Sequence, residues 1–128
     1  MYLGWAYEQK GMFADAVAEF RLALDASGGA PRSVSSLGHA YAISGQRKLA
    51  EESLARLHQQ AKQRYVAPYD MAEIHVGLGD KEQALKYLEM AYVDRSCWMI
   101  YLKIDLRFDS IRGDPRYQDL VRRINLTP

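Results

Sequence analysis

Cysteine is almost missing from this chain of 128 residues, where Cys97 stands alone. A single thiol cannot close an internal disulfide, so burial has to hold the fold, and the composition fits a reducing compartment. Cys97 lies in an apolar run with no histidine near it in sequence and reads as a buried, inert thiol. Long apolar runs are missing too. None approaches the roughly 20 residues that a membrane-spanning helix requires, and the start MYLGWAYEQKG lacks the basic-then-apolar order of a secretory signal. An excess of one charge is also lacking: 17 Lys and Arg face 16 Asp and Glu, a formal charge of +1. That balance gives no electrostatic footprint for nucleic acid or an anionic membrane. The chain is expected to be soluble and cytoplasmic, with one domain's length and enough of it to bury a core.

Catalytic and metal-binding patterns are equally scarce. His39, His58 and His75 stand apart, without an HExxH motif or a Cys/His pair at zinc spacing. GLGDKEQ at 77–83 is a helix junction and not a phosphate loop, and Glu51 and Glu52 fall on a solvated face. The sequence therefore asks for no enzyme, no cofactor and no metal.

What the chain does have is a period. Gly11, Gly45 and Gly79 are 34 residues apart, and the same step relates Ala16, Ala50 and Ala84. It also relates Leu3, Leu37 and Met71; Gly4, Gly38 and Ala72; Tyr7, Tyr41 and His75; Phe20, Leu54 and Leu88; and Ala23, Leu57 and Ala91. A fixed period dictates the architecture before any local feature does. The residue types follow from packing. Gly4, Gly38 and Ala72 on first helices, with Ala16, Ala50 and Ala84 on second helices, let two helices approach closely. Gly11, Gly45 and Gly79 fall where the first helix must stop in a left-handed residue. Such a pair cannot bury its apolar face alone, so pairs stack.

LGWAYEQKGMFADAVAEFRLAL at 3–24 resembles the tetratricopeptide repeat, whose signature runs Leu-Gly-x-x-Tyr, then Ala, then an aromatic. Residues 37–57 match it at Leu37, Gly38, Tyr41, Gly45 and Ala50, and GLGDKEQALKYLEMA at 77–91 restores it after a weaker first helix. The resemblance covers roughly three quarters of the chain on that repeat length. It implies an all-α, right-handed solenoid of three repeats at 1–30, 31–64 and 65–94, closed by a helical cap at 95–128. Within the first repeat the opening helix is truncated, as at a boundary inside a longer protein; the alternative is a short protein whose uncapped first helix pairs with a second copy.

Local signals place the helices. The second helix of repeat one is expected over about 13–26, and Ser27-Gly28-Gly29-Ala30-Pro31 ends it. The next pair is expected over about 32–44 and 47–63. Pro68 suits a first helical turn, and Asp80 with Gln83 reads as a variant capping box. Beyond Ala91 the frame fails. Trp98, Tyr101 and Leu102 suggest a short helix, although the apolar run also reads as a strand; Asp114-Pro115 then opens a helix carrying Tyr117, Leu120, Val121 and Ile124. Residues 95–126 are expected to cover the last repeat. WMIYLKIDLRFDSIRGDPRYQDLVRRINL also looks like the closing segment of repeat arrays in bacterial multidomain regulators, where winged-helix or kinase domains lie upstream.

In the tetratricopeptide family the first helices line a concave groove that takes peptides. Carried onto this chain, the groove is expected to present Met1, Trp5, Glu8 and Gln9, then Arg32, Ser35, His39, Ala42 and Ile43, then Tyr69, Glu73, Val76 and Gly77. Trp5, Gln9, Arg32, Ser35, His39, Tyr69, Glu73 and Val76 are the principal candidates, with Trp5 and Tyr69 as aromatic anchors. The family's carboxylate clamp uses Lys, Asn and Arg; here Met1, Trp5, Ser36, Val66 and Asp70 hold those places, so chaperone-tail binding is not implied. The expected function is a non-enzymatic protein-interaction module. Its alternative is a structural spacer in a larger bacterial signalling or transcriptional regulator.

Overall fold

A computed structural model of the chain describes residues 2–126, apart from the side chains of Tyr2, Cys97, Trp98 and Leu126. The expectations for Met1 as a groove residue and for the Cys97 thiol fall outside what is described. All described regular structure is helical. Three helix pairs come first: α1 (Tyr2–Gln9) with α2 (Phe13–Ala26), α3 (Pro31–Ile43) with α4 (Arg47–Ala61), and α5 (Pro68–Gly77) with α6 (Lys81–Val93). Two 3-10 turns follow, η1 (Cys97–Tyr101) and η2 (Leu106–Ile111), and then α7 (Pro115–Leu126). The apolar run after Ser96 is thus helical and not a strand.

The period reappears as geometry. Gly11, Gly45 and Gly79 have φ of 74°, 85° and 80°, the left-handed region that stops a helix. At each stop the amide after the glycine reaches back five residues: Met12 to the Tyr7 carbonyl at 2.8 Å, Gln46 to Tyr41 at 2.9 Å, and Asp80 to His75 at 2.9 Å. Pro31 and Pro68 open α3 and α5, where a missing N–H leaves no bond unmade. The Asp80 carboxylate accepts from the Gln83 amide and caps α6.

Close helix approach is what the small residues provide. Ala16, Ala50 and Ala84 are fully buried. A Cβ added to Gly38 would stand 2.7 Å from Ile74 Cδ1 and 2.9 Å from Ser53 Cβ, so α3 is pressed against both α4 and α5. Ala50→Leu is expected to overpack the α4 contact with Leu37, Ala40 and Tyr41 and lower stability by about 1–3 kcal/mol; an unchanged denaturation midpoint would contradict the assignment of the repeat frame.

The core runs along the array as linked clusters, the largest of which joins α5 and α6 to the tail through Leu85, Leu88, Leu102, Phe108, Tyr117 and Leu120. On α7, Tyr117 and Leu120 are buried, and Val121 and Ile124 pack beside them. Arg116–Glu82 and Arg123–Glu89 ion pairs fasten α7 to α6 from outside. The tail does more than cover the last pair. Its η2 turn lies on the face formed by the first helices, against α5.

Candidate functional site

Each first helix sends a candidate side chain to one place on that face. Trp5 comes from α1, Arg32 and Ser35 from α3, and Tyr69, Asp70 and Glu73 from α5, while η2 and its cap add Asp105 and Arg107. Glu73, fully buried, is the centre. It accepts from Arg32 Nη1 at 2.5 Å and from the Ser35 hydroxyl at 2.9 Å, and it pairs with Arg107 Nη1 at 3.0 Å. Arg32 Nη1 also donates to Asp70 at 2.7 Å. The Arg107 guanidinium grips Asp105 through Nε at 2.9 Å and Nη2 at 2.8 Å. Trp5 is flanked by both cations, with Arg107 Cζ 5.0 Å and Arg32 Cζ 5.6 Å from the indole centroid. Each lies within the range of a cation–π attraction. Tyr69 completes the cluster by donating its hydroxyl to Asp105 at 2.5 Å.

Burial makes these charges consequential. Burial and the neighbouring Glu73 carboxylate push the Asp70 carboxyl up to about 6, although Arg32 works in the opposite sense. For Asp105, burial raises and the bonds from Arg107 and Tyr69 lower, and the bonds prevail. Arg107 is likewise held charged, since Glu73 and Asp105 outweigh the cost of its burial. Asp70 gives a pH signature. Its ordinary value is 3.8, so between 3.8 and about 6 the folded chain retains a proton that the unfolded chain has lost. The stability it contributes is present below that window and is lost as pH rises through about 6, each unit corresponding to about 1.4 kcal/mol. In denaturant titrations, the wild type should gain on Asp70→Asn as pH falls from 7.5 to 4.5. A difference between the two that does not vary with pH would refute this assignment.

The candidate residues do share one face, but most of them are not open to a partner. Ser35, His39, Tyr69, Glu73 and Val76 are buried, Arg32 and Trp5 are partly buried, and Gln9 alone of the candidates is exposed. The expected groove is partly filled by the tail, which supplies Asp105 and Arg107 to partners that periodicity left looking outward. His39 turns to a different neighbour. Its Nδ1 lies 2.7 Å from the buried Glu8 carboxylate, a contact between α3 and α1. His75, in the Tyr7 and Tyr41 register, is a packing residue, stacked on Tyr87 at 5.4 Å.

Two openings remain on either side of the Leu106–Arg107 bridge. One, roughly 320 Å³, is lined by Trp5, Gln9, Tyr101, Ile104 and the bridge itself. The other, roughly 470 Å³, lies beside Glu8, His39, Val76 and Ser110. Around the first opening Tyr101, Ile104 and Leu106 are exposed by 47%, 68% and 53%, an apolar rim on a surface that is otherwise mixed. Among the described residues no group of His, Cys, Asp and Glu is placed to hold a metal ion, and no helix is long and apolar enough to cross a membrane. Arg107 was the residue that sequence reasoning missed. Its signal was faint: Asp105 and Arg107 interrupt an apolar stretch at the point where the repeat frame fails.

Stacked helix pairs with glycine stops at one period, and a first-helix face that gathers aromatic and charged side chains, define a helical-repeat solenoid. The tetratricopeptide repeat family model matches residues 3–28, which span α2 and nearly all of α1, and the two following pairs repeat the same stops and close contacts. No curated protein and no solved structure matches the chain. Repeats of this family are in general non-enzymatic protein-interaction modules.

Proposed function

We propose that this chain binds a peptide or protein segment along the face of α1, α3 and α5, entering where its own tail leaves that face open. Repeat units at 1–30, 31–64 and 65–94 would form the platform, and 95–128 would form one wall of the site. The observation that carries this reading is the rim of Tyr101, Ile104 and Leu106 beside Trp5. Large apolar side chains exposed around a cavity, backed by an aromatic and flanked by charges, are what a protein partner buries. The partner is expected in the cytoplasm.

Peptide-display selection against the wild type and against Ile104→Glu/Leu106→Glu tests this. Both side chains are more than half exposed, so the double variant should fold. The wild type is expected to enrich a consensus containing apolar residues that binds the variant at least about tenfold more weakly, a loss of about 1.4 kcal/mol. No enrichment, or a consensus that ignores the variant, would remove the proposal. One feature favours a second reading, a spacer within a larger bacterial regulator: the first-helix face already holds the chain's own Arg107. A spacer would enrich nothing.

A further inference from the structure

Arg107 occupies its place as a ligand would. Its guanidinium sits over Trp5 of α1 and pairs with Glu73 of α5, a carboxylate held from α3 by Ser35 and Arg32. The helices supply that site; the occupant comes from a segment outside the repeats. The backbone of the segment is held by local turns, Phe108 to the Asp105 carbonyl at 3.2 Å and Arg112 to Asp109 at 3.2 Å. Arg112 adds bonds to the carbonyls of Lys103 and Asp105. Side chains tie it to the helices: Arg107 on Glu73, Asp105 on Tyr69, and Phe108, fully buried, edge-on to Tyr69. Leu106 and Arg107, with Gln9, line both openings.

We propose that the Trp5–Glu73 clasp, with Asp105 beside it, is a binding site for an arginine side chain supplied in trans, and that Arg107 is the internal side chain that a partner's arginine-bearing segment displaces. The inference rests on the interaction-module reading and names its partner's chemistry. With the Arg107 side chain withdrawn, Arg32 stays with Asp70 and Glu73 while Asp105 loses its cation, so the site gains negative charge and draws a cation. The Trp5 face and the two-pronged Asp105 carboxylate select a planar, forked guanidinium over the point charge of lysine.

The test uses a synthetic peptide of residues 106–111, blocked at both ends, and the same peptide carrying Arg107→Ala. Each is titrated unlabelled into the ¹⁵N-labelled full chain. The arginine peptide is expected to shift the amides of Leu106–Ile111, and the alanine peptide to bind at least tenfold more weakly. By calorimetry, the arginine peptide should bind the Arg107→Ala chain at least tenfold tighter than the wild type, because the internal competitor is gone. Arg107→Gln, which keeps a donor for Glu73, is the second variant should the first melt, and the wild-type titration decides if both do. Unmoved amides at millimolar peptide, or equal binding of the two peptides, would overturn the inference. A display selection that still enriches on the wild type would then show that the interaction module stands without an arginine site.

Discussion

Phe108→Ala is expected to lower the unfolding free energy by about 3–5 kcal/mol, the range for emptying a fully buried aromatic site. The ring has no solvent exposure, lies edge-on to Tyr69 with centroids 5.4 Å apart, and meets Tyr117 at 6.2 Å. It sits where α5, α6 and α7 converge, so the walls belong to separate elements held apart by their own packing and cannot close over the cavity. The neighbouring Leu106→Ala supplies the contrast. Leu106 is half exposed, and its loss should stay within about 0.5 kcal/mol. Urea denaturation of the two variants measures both. A loss below about 1 kcal/mol for Phe108→Ala would mean that η2 does not share the core.

Glu73→Ala should be similarly severe, at about 3–5 kcal/mol, because it leaves Arg32 and Arg107 buried without their common carboxylate. The cost comes from the unpaired cations and not from the strength of the ion pairs, whose gain in place is largely offset by desolvation. Two consequences separate these causes. Glu73→Lys, adding a third cation, should be worse than Glu73→Ala. Pairing Glu73→Leu with Arg32→Met should recover much of the loss, since both members of one pair are then gone. Chemical denaturation of the set decides: equal losses in Glu73→Ala and Glu73→Lys would show that charge is not what matters there. Glu73 is therefore a structural centre of the site, and altering it alone tests folding before it tests binding.

How much of this was legible depends on distance along the chain. The glycine stops, the buried alanines and the second helix over Phe13–Ala26 follow from periodicity and local chemistry, and the structure has them at those positions. The correct helix faces were legible too, since Trp5, Ser35 and Glu73 do converge. What covers them was not. Arg107 reaches Glu73 from a 3-10 turn, which has no amphipathic period to read, and the bond joins segments that no repeat relates. Leu3 shows the opposite limit. The frame equates it with Leu37 and Met71, which are buried, yet Leu3 is 50% exposed because no described helix packs on that side of α1. Periodicity predicts what a neighbour would cover; it does not supply the neighbour.

Trp5 belongs to the first helix and Arg107 to the last turn before α7, and they meet. Open solenoids behave nearly as one-dimensional chains, in which each unit feels only its neighbours and the ends fray independently. Here α1 and η2 share a contact, so loosening at either one is felt at the other. An event at the tail, such as the arrival of a competing side chain, would be registered in the first repeat without passing through the repeats between them.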